Sequence, residues 1–303
     1  MPTIARYRPI WSAGGRRIFG PDEDAFTAAA TALEGAFPIR ARERPTGELR
    51  LAGPLPPVAQ WGLPALLDGS ARVARFASIR DALPDPAELG SRPDLVIVAF
   101  DPGPDRAGPV AVAIRGGAES SYGAIRSDME GELAASDPGG PTIEIDPARR
   151  ERVEAMRLDV VSEGAYIPRA RYLESLPSRW RLGAQECSAC GATTFPIRSV
   201  CRACGRSEGL TPTALAPDGG EIVAITEIGG GGQPTEFDGF VEAAGPYRVG
   251  LVEWEPGVRA TLMVSDDPEG TVRIGSRVRT VLRRLYPMEG EWRYGRKIVP
   301  ARP

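Results

Sequence analysis

The chain has no histidine among its 303 residues. That absence removes the commonest general base and proton shuttle at neutral pH, and with it Ser-His-Asp triads, Cys-His dyads and histidine-ligated metal chemistry. Lysine is almost missing as well: Lys297 is the single one, so arginine carries nearly all the positive charge. Cations and carboxylates nearly cancel, at a net charge of −3. This argues against a dedicated nucleic-acid binder, because such domains are normally basic throughout. No apolar run approaches the roughly 18 residues a membrane helix needs, and no secretory signal opens the chain. The expectation is a soluble, cytoplasmic protein.

Cysteine is scarce too, but all four copies fall in one stretch: Cys187-Ser-Ala-Cys190-Gly191, nine residues of spacer, then Cys201-Arg-Ala-Cys204-Gly205. Each C-x-x-C pair closed by a glycine predicts a knuckle whose backbone amides turn toward the thiolates. Two knuckles brought together make a tetrahedral site of four soft sulfur ligands that suits zinc. Disulfides are the alternative, disfavoured where thiols stay reduced, and a redox C-x-x-C has no need of a duplicate. Four sulfurs fill the coordination shell and leave no position for water or substrate, so the metal implied is structural. If all four hold it, no cysteine is left as a nucleophile.

A chain of this length with 42% hydrophobic content should hold about two domains, one on each side of Ala165–Arg181. Thirty prolines and 36 glycines imply many turns. Pro21-Asp22-Glu23-Asp24 places carboxylates at a helix start, Phe26, Ala29, Ala30, Leu33 and Phe37 follow at helical spacing, and Gly35 sits near the expected stop. Glu48–Ala52 reads as a short strand, and Leu63–Leu83 as an interrupted helix. The continuous apolar runs Leu95–Phe100 and Val110–Ile114 read as strands covered on both faces, which makes the first half an irregular α/β domain. Ala148–Val161 reads as a solvated helix. Arg171–Leu182 reads as a helical arm whose Tyr172, Leu173, Leu176 and Trp180 dock either on a partner or on the ribbon of the same chain. Asp101 and Asp105, after the first buried strand, are candidate carboxylates for an independent enzyme, although loop aspartates are usually turn formers.

Beyond the cysteines, Glu221–Ile228, Tyr247–Trp254, Val258–Val264, Arg277–Leu282 and Trp292–Ile298 alternate as strands. Gly250 and Gly295 inside them suggest bulges or tight bends; within the long Gly229–Pro246 connection, the Gly229–Gly232 run lacks the Gly-Lys-Ser/Thr of a phosphate loop and reads as a mobile strand connection. Five strands in about 80 residues suit a closed barrel of the OB type. Arg277, Arg279, Arg283 and Arg284 beside Tyr286, Trp292 and Tyr294 leave single-stranded nucleic-acid binding as the alternative function.

The segment from about Tyr172 to Pro300 resembles the acyl-CoA-associated family that joins a rubredoxin-like zinc ribbon to an OB-fold. The residues that carry the resemblance are Arg179-Trp-Arg-Leu182, the two cysteine knuckles, Phe195-Pro196, Tyr247–Glu253, Gly257-Val-Arg259, Ile274-Gly275 and Tyr294–Pro300. Helix Asp24–Leu33, strand Leu95–Phe100 and segment Gly108–Gly117 resemble a shortened half of a thiolase-like fold that lacks the cysteine nucleophile and the catalytic histidine.

The fold class that follows is α+β multidomain. An irregular α/β domain over 1–164, resembling a degenerate thiolase-like half, precedes a linker and arm over 165–182, a four-cysteine zinc ribbon over 183–210 and a five-stranded OB-type barrel over 211–303. The resemblance implies a non-catalytic subunit that forms a hetero-oligomer with a thiolase-type, aldolase-type or hydroxymethylglutaryl-CoA synthase-like enzyme. Such a subunit would support acyl-CoA carbon-carbon bond formation or cleavage, and could share the coenzyme A ester with its partner. The expected metal ligands are Cys187, Cys190, Cys201 and Cys204. Arg198 and Arg202 by the second knuckle, and Arg277 and Arg279 on one strand face, are the candidate donors to a coenzyme A phosphate.

Overall fold

A computed structural model describes residues 3–13, 16–37, 47–67, 71–77, 79–82, 95–102, 109–115, 142–146, 148, 151–152, 155, 169–288 and 290–301. It divides into two units, Met1–Pro147 and Ala148–Pro303. The segment expected as a helix at Ala148–Val161 lies largely outside the described residues, as does Asp105.

In the N-terminal unit, strands β1 (Thr3–Tyr7), β2 (Trp11–Ala13) and β3 (Arg16–Ile18) precede helix α1 (Ala25–Ala36). Asp24 caps α1 by accepting from the Thr27 amide at 2.9 Å, while the Thr27 hydroxyl accepts from the Asp24 amide at 2.9 Å. Two orphan donors are thereby satisfied reciprocally. Phe26, Ala29, Ala30 and Leu33 form the buried face. The helix runs past Gly35, which is there for a close approach: a Cβ at that position would lie 2.8 Å from that of Ala5.

After α1 come β4 (Glu48–Ala52), α2 (Ala59–Leu66), β5 (Arg72–Phe76), α3 (Ile79–Ala82), β6 (Val96–Asp101), β7 (Val110–Arg115) and β8 (Ile143–Glu144). The main sheet has the order β1-β7-β6-β4-β5, with β4, β5 and β6 parallel and β7 antiparallel to both β6 and β1. The long interrupted helix expected over Leu63–Leu83 is corrected here: its middle is β5, an edge strand registered on β4. Arg-Val-Ala-Arg-Phe fits both periods, and pairing with β4 decides for the strand. The apolar runs of β6 and β7 are buried throughout, as doubly covered strands require. Asp101 ends β6, its backbone paired with Val110.

The C-terminal unit opens with α4 (Arg169–Trp180), followed by the small sheet β10-β9-β11 made of β9 (Gly183–Cys187), β10 (Thr193–Thr194) and β11 (Leu210–Ala214). A five-stranded antiparallel sheet then contains β12 (Gly220–Ile228), β13 (Tyr247–Glu255), β14 (Val258–Met263), β15 (Arg277–Met288) and β16 (Glu291–Pro300), in the order β14-β13-β12-β15-β16. A parallel bridge between Val264 and Ile298 joins its two outer members. Ile222, Val252, Val272, Val278 and Ile298 form the core. Gly250 lets two of these side chains meet, because a Cβ there would lie 2.8 Å from Ile298 and 2.9 Å from Ile222.

Two features of this unit are left open by the sequence. The connection Gly229–Pro246 holds a 3-10 turn (Thr235–Phe237) and helix α5 (Asp238–Ala244), whose Phe240 packs with Tyr247 and Met263. The arm docks on its own chain, against β9 and β16: Tyr172, Leu176 and Trp180 are buried there. Among the described residues no helix is long and apolar enough to cross a membrane.

Candidate metal centre

The four cysteine sulfurs lie within 4.8 Å of one another. Cys187 and Cys204 are 3.7 Å apart, and so are Cys190 and Cys201. Each knuckle is closed by backbone bonds, Gly191 N–H to Cys187 carbonyl at 2.7 Å and Gly205 N–H to Cys201 carbonyl at 2.9 Å. Gly191 at φ 69° and Gly205 at φ 71° occupy the left-handed region that a side chain would disfavour, which explains the glycine after each pair. Cys187 ends β9 and takes its position from the sheet, and the Cys201 amide is held by the Arg206 carbonyl at 2.8 Å.

The electrostatics fit a soft dication. The amides of Cys204 and Ala203 draw the Cys201 thiol down to about 6. At Cys190 the Ala192 amide lowers the thiol, but the sulfurs of Cys204, Cys201 and Cys187, with burial, outweigh it and push it up to about 12. The crowded sulfurs therefore hold a proton that a bound cation would displace. Four sulfurs at this spacing match tetrahedral zinc in donor type and number, and leave no open coordination position.

Residues not singled out in the sequence support the second knuckle. Buried Gln185 donates from Nε2 to the Arg198 carbonyl at 2.8 Å, and the Thr194 hydroxyl, also buried, accepts from the Arg202 amide at 3.4 Å. Their only sequence signal is a place in a short alternating strand, so the partner across the loop could not be read.

The candidate phosphate donors fall into two places. Arg202 donates from Nε to the Thr193 carbonyl at 2.9 Å and from an η nitrogen to the Pro256 carbonyl at 3.0 Å, which ties the ribbon to the β13–β14 turn. Phe195 and Trp254, 6.0 Å apart, join Leu182, Ala184, Leu215 and Val258 in an apolar seam beneath it. Arg198 is exposed on the ribbon. Arg277 and Arg279 lie on β15 at alternating positions, Arg277 exposed and 4.0 Å from Glu221. The aromatic residues considered as stacking platforms have internal partners. Tyr294 is buried and meets Trp180 edge-on, Tyr286 packs on Phe237 at 4.9 Å, and Trp292 lies under the Arg284 guanidinium at 4.6 Å.

Residues 179–210 match the family described as ChsH2, rubredoxin-like zinc ribbon domain. A DUF35 domain-containing scaffold protein of Methanothermobacter thermautotrophicus is 32% identical over 127 residues, 41% of this chain and 90% of the relative. Another of the same name from Methanocaldococcus jannaschii is 28% identical over 128 residues, 41% of this chain and 85% of the relative. A solved chain of an Ltp2-ChsH2(DUF35) aldolase aligns at 23% identity over 45% of this chain and 98% of its own length, with a TM-score of 0.31.

Proposed function

Because the chain belongs to the DUF35 zinc-ribbon family, we propose that it is a non-catalytic scaffold subunit that assembles with a thiolase-type or aldolase-type enzyme and supports acyl-CoA carbon-carbon bond formation or cleavage. The scaffold naming of relatives matched along most of their length supports the assembly role. The observation that carries the non-catalytic part is the four-sulfur cluster, which closes a metal shell in a chain with no histidine. Zinc held by Cys187, Cys190, Cys201 and Cys204 then fixes the ribbon fold and polarises no substrate.

Finer parts of the reading follow. The strand order of the second unit and its parallel closing bridge support an OB-type barrel over 211–303, behind a ribbon over 183–210 and an arm over 165–182. For the domain over 1–164, a mixed sheet with α1 packed on β1, β6 and β7 supports the likeness to a degenerate thiolase-like half. Arg277 and Arg279 are the side chains to which a coenzyme A phosphate contact is assigned; Arg198, exposed on the ribbon loop, is not among them. Arg202 joins them only if it gives up its two carbonyl bonds. No observation favours single-stranded nucleic acid as the ligand.

The test is turnover of acyl-CoA esters by the purified chain, alone and mixed with a candidate thiolase-type or aldolase-type partner enzyme. The expected result is none alone and a changed rate in the mixture. Turnover by the chain alone, lost in Asp101→Asn, would overturn the reading.

A further inference from the structure

Large hydrophobic side chains are rarely left in water without reason, and two of the few exposed here sit three residues apart on the ribbon: Ile197 at 48% and Val200 at 42% exposure. Both belong to the loop that separates the knuckles. This loop is held in place, because Gln185 grips the Arg198 carbonyl and the Arg206 carbonyl receives the amide of Cys201, the neighbour of Val200. Arg198 and Arg206 are exposed, and among the described residues neither guanidinium has a hydrogen bond or ion pair. Several other arginines of the unit are paired, as Arg248 is with Asp267 and Arg259 with Glu253, and Arg202 is bound to two carbonyls. Within 188–209 the only carboxylate is Glu208, against three arginines, so the loop is a cationic spot on a chain of net charge −3.

We infer that Ile197 and Val200, flanked by Arg198 and Arg206, form a docking face for the partner enzyme, and that the complementary surface is an apolar depression rimmed by carboxylates. This rests on the proposed scaffold role and names the surface that performs it. Aliphatic anchors point to a protein surface, because a nucleic acid would call for exposed aromatic rings to stack on. A loop already fixed by the ribbon loses little entropy on binding, and the two guanidinium groups supply steering and register.

The test measures affinity of the full-length, zinc-loaded chain for a thiolase-type or aldolase-type partner enzyme, at low and high salt. Ile197→Ser/Val200→Ser is expected to raise Kd about tenfold or more. Arg198→Gln/Arg206→Gln is expected to raise Kd at low salt and to remove most of the salt dependence. Ile274→Ser, at an aliphatic site 66% exposed on a turn of the other sheet, is the matched control and is expected to bind as wild type. Bound zinc is measured on every preparation, and one ion per chain in each confirms an intact ribbon.

Wild-type affinity in both double variants, while the wild-type chain itself binds, overturns this face and leaves the scaffold role standing. Equal weakening by Ile274→Ser also overturns it. Failure of the wild-type chain to bind at all overturns the scaffold role and this inference with it. Retention of a single-stranded oligonucleotide that is lost in Arg198→Gln/Arg206→Gln would give the face to nucleic acid and overturn it as well.

Discussion

The docking of α4 on β16 centres on the backbone of one residue, Tyr294, which makes its energetics separable. The Tyr294 carbonyl accepts from Trp180 Nε1 at 3.0 Å and from the Tyr172 hydroxyl at 3.2 Å, and the Tyr294 amide donates to that same hydroxyl at 2.9 Å. Trp180→Phe removes one of two donors to the carbonyl and leaves the other, so the hydrogen-bond loss is about 1 kcal/mol, with a further ~1 kcal/mol from the smaller ring. Tyr172→Phe leaves the buried amide without an acceptor, and an orphaned donor of this kind costs about 1–3 kcal/mol. The double variant also orphans the carbonyl, so it should exceed the sum of the singles by about 1 kcal/mol. Urea unfolding followed by far-ultraviolet circular dichroism gives the three values, and amide exchange over 290–300 assigns them to β16. Strict additivity, or a Trp180→Phe cost well above that of Tyr172→Phe, would refute the shared-carbonyl account.

Further outcomes follow from the same contacts. Burial raises the Tyr172 hydroxyl to about 12 from 10, the Tyr294 backbone bond opposing it only in part. A raised folded value means its contribution is whole below about pH 10 and lost as pH climbs toward 12, about 3 kcal/mol in all, so Tyr172→Phe should flatten the alkaline fall in stability. Cys190→Ser, or chelation of the wild type, should abolish zinc binding and weaken assembly while β-type circular dichroism survives, because the five-stranded sheet keeps its own core; collapse of the β signal together with zinc loss would refute this. Arg202→Gln should speed amide exchange around Thr193 and Gly257 at unchanged zinc content, whereas unchanged exchange with a raised Michaelis constant for the coenzyme A ester would return Arg202 to the phosphate-binding role.

The metal centre was legible in the sequence because ligation demands both a fixed ligand spacing and a glycine of positive φ after each pair, as Gly191 and Gly205 show. Alternation located the strands of the C-terminal sheet for the same reason, a period imposed by one buried face. It fell short on β15 and β16, where a register shift between Arg284 and Tyr286 inserts Leu285 over Gly295 and interrupts the period. Strand β5 and helix α5 were missed because each is short, and tertiary contacts decide them: β5 by pairing with β4, α5 by burying Phe240. The face on which Tyr172 and Trp180 dock was out of reach altogether, since their partner lies more than a hundred residues away and is a backbone peptide, which leaves no side-chain trace at Tyr294.

Co-expression of the full chain with a candidate thiolase-type or aldolase-type partner, followed by mass determination across a size-exclusion column, tests the central claim most directly. The scaffold account predicts one zinc-containing peak whose mass requires both chains. Two separate peaks, each at the mass of one component, with the enzyme's activity unchanged, would contradict it.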